Sequence, residues 1–465
     1  MRLSRIVAGL VLSLAAFTLP RPAAATASDS SYASPDLRVS TAPPWNPPAP
    51  LPAARAWEAA LRLPGRIASL PLVVMGGLAE RSLVHLEQGH ALERALAGSE
   101  RMKRLGIEVM PASLGDHTGI GGEAAWAPFR LDRRLLLEAN ATTNQYNRER
   151  VSVFIGPLGA VATSEWRPRE LYFGPGLAAP RSGESSYAEH TQSAKLILVW
   201  GWQRFDSATT QPSAPLMFHD RVRARGPMHR TWMSVWAGPR ERSVSRGRDP
   251  LGPSFEVAHP IEAAGSLDRG VEHFAYGAGV SHDARWGRPH WSGGWRASVE
   301  AERFDRSIRA LALNDASSGA GSFTRLIYRA ETGASFGRDA RTLRLALTAV
   351  DQRRDAAGGT FLLGDLQTLG GSAGLSGFEY GRFRDMDLLL AKLSYLFPLV
   401  KNLEFDVHAE SGGVYPGLSQ ARLATLKRSF GAALRFRTEA AIFGALGCDR
   451  SAESTRIWFA LGGIE

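Results

Sequence analysis

Two groups of residues in this sequence have types and spacings that could do chemistry. The first is Gly370-Gly371-Ser372-Ala373-Gly374, a G-x-S-x-G pattern. In hydrolases that pattern lifts a nucleophilic serine over an oxyanion hole, and it needs a strand before it and a helix after it. Here the flanks read as a strand and a glycine-rich loop, so no catalytic residue is assigned. The second group is ionic. Arg382 and Arg384 flank Phe383, and Asp406 and Glu410 fall on one face of an alternating segment together with His408. The 11 histidines form no H-E-x-x-H and no tight His/Asp cluster, and the single cysteine, Cys448, excludes a cysteine metal site and an internal disulfide. Neither metal nor cofactor is expected.

Positioning these groups falls to strands. From Gly106 onward the sequence alternates. Leu135, Leu137, Ala139 and Ala141 oppose Arg134, Glu138, Asn140 and Thr142. Leu343, Leu345, Leu347 and Ala349 oppose Thr342, Arg344 and Thr348. Leu403, Phe405, Val407 and Ala409 oppose Glu404, Asp406, His408 and Glu410, and Phe430, Ala432, Leu434 and Phe436 oppose Ser429, Arg435 and Arg437. Successive side chains on a strand point to opposite faces. In a soluble sandwich the charged face meets water; in a membrane barrel it lines the lumen and the apolar face meets lipid. About 360 residues at roughly ten per strand, with turns and long loops, predict about 16 strands. Long loops are expected over Pro168–Ser186 and Pro239–Asp268. Trp200, Trp202, Trp232, Trp236, Trp291, Trp295, Tyr395 and Trp458 are expected in interfacial girdles.

The first residues point to export. Arg2 and Arg5 precede an apolar run from Ile6 to Leu19, and Ala25-Thr26-Ala27 offers small residues for cleavage before Ser28. Residues 1–27 therefore read as a signal peptide and 28–56 as a Pro-rich linker. Residues 57–105 read as a short helical segment, broken at Pro64 and Pro71, that lies on the periplasmic membrane face or plugs the lumen. Residues 106–465 read as the barrel. No later stretch reaches the roughly 20 apolar residues of a spanning helix. The net charge of +10 falls to +7 without the leader. For an exported chain, outer-membrane lipids and lipopolysaccharide are the fitting counter-charges, and no nucleic acid is expected. The basic runs Arg221–Arg230 and Arg240–Arg248 read as solvated loops or lipopolysaccharide contacts.

Between Leu369 and Leu399 the sequence resembles the carboxy-terminal barrel of the BamA/TamA-like bacterial surface antigen superfamily. The matching residues are Gly370, Gly371, Gly377, Phe378, Arg384, Phe397 and Pro398, with Glu410-Ser411-Gly412 beyond them. The resemblance is specific over the last hundred residues and diffuse back to about Gly106. It implies an all-β fold, a transmembrane antiparallel barrel in the outer membrane of a Gram-negative bacterium. It also implies a loop folded into the lumen and a role in outer-membrane protein assembly or translocation. Partners would then be unfolded outer-membrane proteins or a translocated polypeptide; a homodimer belongs to the channel or structural reading. The chain has no room for the family's substrate-gathering periplasmic (POTRA) repeats, so it would be a short form. A channel or structural barrel is the alternative, and a barrel-embedded hydrolase the third reading. Ser376 occupies the place of the family's loop arginine, and Leu396 that of the arginine before Phe-Pro. The family arginine docks the loop on lumen carboxylates. Ser376 is expected not to do so, and Arg382 or Arg384 is expected to pair with Glu410 or Asp406 instead.

Overall fold

A computed structural model describes residues 107–112, 118–119, 121–126, 135–155, 157–204, 229–247, 253–260, 269–285, 293–306, 321–336, 341–355, 363–400, 403–437 and 442–461. The leader, the linker and the helical segment over 57–105 lie outside the described residues. The strands are β1 (Ile107–Ala112), β2 (Gly121–Trp126), β3 (Leu135–Thr142), β4 (Asn147–Ile155), β5 (Leu158–Tyr172) and β6 (Ser185–Arg204). Next come β7 (His229–Arg246), β8 (Arg269–Asp283), β9 (Gly294–Arg306), β10 (Phe323–Phe336) and β11 (Arg341–Arg354). A two-stranded ribbon, β12 (Gln367–Leu369) and β13 (Phe383–Asp385), interrupts the series. The rest are β14 (Asp387–Val400), β15 (Leu403–Tyr415), β16 (Lys427–Arg437), β17 (Ile442–Ser451) and β18 (Thr455–Leu461).

Among the described residues, all strands except β12 and β13 form one 16-stranded sheet in chain order, each pair of neighbours antiparallel. The expected strand number is thus met. The faces identify the solvent. Val151, Val153, Ile155, Leu343, Leu393, Val407 and Phe430 are exposed on the outside. Asn140, Ser152, Asp406, His408, Glu410, Arg435 and Asp449 are buried on the inside. A protein that folds in water does the reverse, because apolar area removed from water drives folding. Apolar-out and polar-in is the arrangement of a barrel in lipid. No helix of the described residues is long and apolar enough to cross a membrane.

The sheet curls until β1 lies beside β18. Closure by a continuous ladder is the expectation, since an open edge in lipid leaves backbone groups unpaired. Among the described residues no ladder joins β1 to β18. β1 has only six residues and includes Pro111, which has no N–H to donate.

Two of the expected loops are shorter than the sequence suggests. β5 continues through Pro168 to Tyr172, and β7 continues through Pro239 to Arg246. Each proline is accommodated where the ladder to β6 lapses. The β5–β6 register slips between Arg167 and Glu170, and β6–β7 pairing skips from Ser193–Arg240 to Leu196–Ala237. The aromatic girdle is also only partial. Trp200 is exposed on the outside. Trp236 instead lies under Lys195 Nζ at 4.0 Å, and Trp458 donates its indole N–H to Asp449 inside the barrel.

Candidate functional site: the lumen loop

The chain between β11 and β14 turns inward, and its described part spans 363–386. Its apolar side chains would be stranded in an aqueous lumen, and they make a core of their own. Leu369, Leu375, Phe378 and Phe383 pack with Ile327, Val350, Leu388 and Val414 of the wall, with the Phe378 and Phe383 rings edge to face at 5.1 Å. Gly370 holds φ at +119°, and a Cβ there would sit 2.1 Å from the Glu379 carbonyl oxygen. At Gly377 a Cβ would come within 2.7 Å of the Arg450 backbone. Gly371 has a buried backbone and φ +60°. The G-x-S-x-G residues thus serve backbone geometry. Ser372 is exposed in a 3-10 turn that follows the short strand β12, not at a strand-to-helix elbow.

Glu410 docks this loop, but its partner is Ser376. The Ser376 backbone N–H and hydroxyl both donate to Glu410 Oε2, at 2.6 and 2.8 Å. Ser429 donates to the same oxygen at 2.9 Å, and Lys392 Nζ lies 2.9 Å from Oε1. A carboxylate with this many donors is well paid in hydrogen bonds for its burial. The expectation that Ser376 cannot replace the arginine is overturned. A hydroxyl and a backbone amide together supply the two donors that one guanidinium would.

The expected pairing of Arg382 or Arg384 with Glu410 or Asp406 is also overturned. Arg382 is buried and makes a bidentate contact with Glu453 at 2.7 and 3.1 Å, in the β17–β18 hairpin. It also donates to the Ala179 carbonyl at 2.8 Å and lies against the Phe173 and Phe383 rings. Arg384 is buried against the Tyr187 ring and reaches Glu170 of β5 at 3.4 Å. Asp406 is held by Arg435 from the neighbouring strand. Neither arginine is directed at Glu410: Arg382 turns to the β17–β18 hairpin, and Arg384, in β13, crosses to Glu170 on β5. The Gly176 N–H donates to the Arg384 carbonyl at 2.7 Å, fixing that crossing.

Several anchors are invisible to the family pattern. Arg456 of β18 donates to the carbonyls of Ser376 and Phe378 at 2.9 and 2.6 Å. Strand parity could have found it, because Ile457 and Phe459 face outward. At the loop's entry Asp365 takes Arg242 at 3.0 Å and Arg240 at 3.8 Å. Burial alone would raise this carboxyl, but Arg242 and Arg240 outweigh it and hold Asp365 down at about 2. Arg240 and Arg242 are therefore lumen residues. The part of the basic run Arg240–Arg248 that carries them is strand, and they bind protein carboxylates. Most of the run Arg221–Arg230 lies outside the described residues; Arg230 itself is buried.

One arrangement bears on enzymatic chemistry. Ser376 Oγ lies 3.4 Å from His408 Nε2, and His408 Nδ1 lies 3.8 Å from Asp406. A serine, a histidine and an aspartate are thus in line. However, Nε2 faces Asp449 at 2.9 Å, and the serine proton is directed to Glu410. The nitrogen that would have to accept that proton is already engaged by a carboxylate, so the row serves to lock the loop. The described residues contain no group of three His, Cys, Asp or Glu side chains placed for a metal ion.

No protein-family model matches the sequence, and no curated protein does. Solved structures do resemble the fold. The crystal structure of BamA from Haemophilus ducreyi lacking POTRA domains 1–3 is 11% identical, with a TM-score of 0.48, covering 77% of this chain and 70% of that one. CdiB from Escherichia coli is 11% identical, with a TM-score of 0.45, covering 76% of this chain and 61% of that one.

Proposed function

We propose that this chain is an integral outer-membrane barrel that acts in the assembly or translocation of other polypeptides. One observation carries the reading: a loop between β11 and β14 folds into the lumen and is tied to distant parts of the wall. It reaches Glu410 on β15, Arg456 on β18, Arg242 on β7 and Glu170 on β5. A simple pore has no need of a plug fastened on four sides. A barrel that must stay sealed while its edge strands work on a client does. Depletion of the protein should reduce the insertion of other outer-membrane proteins, read as loss of their heat-resistant forms. Normal insertion after full depletion would refute the assembly role.

A channel is the second reading. It is favoured by a lumen lined with paired charges, such as Arg325 with Glu302 and Arg329 with Glu300. Steady conductance of the purified protein in planar bilayers, with normal insertion in depleted cells, would select it.

A further inference from the structure

We propose that the outer face of β16–β18, at the end carrying the inward loop, docks a phosphorylated glycolipid of the outer leaflet. Arg428 and Arg450 hold its phosphate, and Phe430, Ile457 and Phe459 meet its acyl chains. This rests on the outer-membrane reading above.

Alternation sets the geometry. Ser429 and Asp449 are buried toward the lumen, so Arg428 and Arg450 project outward, and both are exposed. Ser429 pairs with Ser451 and Phe430 with Arg450 in the β16–β17 ladder, which places the two arginines as diagonal neighbours. Such neighbours are roughly 7–8 Å apart, close enough for one phosphate group to bridge two long guanidinium side chains. Directly beside them the wall turns apolar, with Phe430 60%, Ile457 79% and Phe459 52% exposed.

The charges have no counter-charge of their own. Among the described residues neither Arg428 nor Arg450 has a carboxylate partner. On these strands and β15 the carboxylates Glu404, Asp406, Glu410 and Asp449 are all buried on the lumen side. Glu453, in the adjoining hairpin, is taken by Arg382. Two like charges beside an apolar band at a membrane edge call for a ligand with an anionic head and apolar tails. Guanidinium suits phosphate in particular, because its fork can bind two oxygens at once. Across the sheet, on β4–β8, Glu149, Glu241 and Glu272 share one register row and line a cavity of about 550 Å³. The basic face is thus one side of the barrel rather than a uniform ring.

The position of the face selects the lipid. Connections at this end are longer on the whole, including 173–184, 247–268, 307–322, 355–386 and 416–426, although 143–146 and 452–454 are short; the other end has turns as short as 156–157 and 401–402, with 205–228 as its longest connection. Outer-membrane barrels carry long loops outside and short turns inside. The arginines therefore stand at the outer leaflet, where phosphorylated glycolipid is the resident lipid. Leu423, 83% exposed on the 416–426 loop beside exposed Arg422, extends the same basic and apolar pattern.

The test uses the full chain folded in detergent and incubated with bis-phosphorylated lipid A, with retention read by native mass spectrometry. R428Q/R450Q should retain about tenfold less lipid A than the wild type, the loss expected for removing charge-assisted contacts. E241Q/E272Q should retain as much as the wild type, and lipid A stripped of phosphate should bind the wild type as poorly as R428Q/R450Q binds the intact lipid. Equal retention by wild type and R428Q/R450Q would overturn the site. Displacement of lipid A by an equal concentration of phosphatidylglycerol would overturn the assignment to glycolipid. Heat-modifiable migration of the same samples reports the barrel separately, so a failed barrel and a failed lipid site give different results.

Discussion

Ser376 gives Glu410 two hydrogen bonds, one from its hydroxyl at 2.8 Å and one from its backbone amide at 2.6 Å. Only the first depends on the side chain. The loop's attachment to β15 is therefore half encoded in a residue type and half in backbone placement, and the two halves can be separated by mutation.

Ser376→Ala should cost about 1 kcal/mol of barrel stability, since the amide bond and the Lys392 and Ser429 contacts remain. Glu410→Ala should cost about 3–5 kcal/mol, because it leaves Lys392 without its lumen partner and removes the acceptor of every donor there. Urea unfolding in detergent, followed by tryptophan fluorescence, measures both. Equal losses in the two variants would mean that Glu410 does not dock the loop through its backbone.

Arg382 and Glu453 should behave as a pair. Glu453→Gln should destabilise by about 1.5–3 kcal/mol, the range for a hydrogen bond to a charged group. The reversed pair R382E/E453R should recover part of that loss, while R382E/E410R should recover nothing, because Arg382 and Glu410 do not meet. Gel migration against temperature decides between them. Recovery by R382E/E410R alone would restore the pairing that the sequence suggests.

The loop arginines separate local sequence signals from long-range ones. Strand number and the facing of residues follow from period-two alternation, which the backbone enforces locally, as in Leu403, Phe405 and Val407 against Glu404, Asp406 and His408. The turn at Gly370-Gly371 was legible in its glycines, whose backbone demands are local too, whereas the loop's inward direction was implied only by the family resemblance. Partners of the loop arginines were not legible, because Glu170 and Glu453 lie 214 and 71 residues away from Arg384 and Arg382. No spacing rule links residues that meet only across a lumen. Pro168 and Pro239 depart from expectation for a different reason: at Pro239 the ladder to β6 lapses while the strand pairs with Phe274 of β8, and at Pro168 a register slip lets β5 resume pairing with β6 at Glu170.

Acid should release the loop's entry before it unfolds the barrel. Asp365 is held at about 2, below the ordinary 3.8, so its contribution is complete above the ordinary value. That contribution is lost as pH falls from 3.8 toward about 2, when the carboxyl is protonated in both states. Protease sensitivity of the 355–386 segment should therefore rise over that window in the wild type. Asp365→Asn should show the sensitivity already at neutral pH, without the acid step. A wild-type loop that stays protected down to pH 2 would remove Asp365 as its anchor.

The last prediction concerns the solvent of the outer face. Leu393 lies in the middle of β14, 45% exposed, with Leu345 and Ala409 opposite it on the neighbouring strands. If that face meets water, Leu393→Arg is a surface substitution, which usually changes stability by no more than about 0.5 kcal/mol. If it meets the hydrocarbon core, an arginine there costs about 2–4 kcal/mol at mid-depth and less near the interfaces. Ile457→Arg, one residue from the Arg456 that reaches the loop and close to the rim, should then cost less than Leu393→Arg, because a long basic side chain near an interface can snorkel to the head groups. Folding both variants into lipid vesicles and measuring unfolding in urea gives the depth profile directly. The expected order is a large loss at Leu393 and a small one at Ile457. Small and equal losses at both positions would mean that water, not lipid, covers the apolar face.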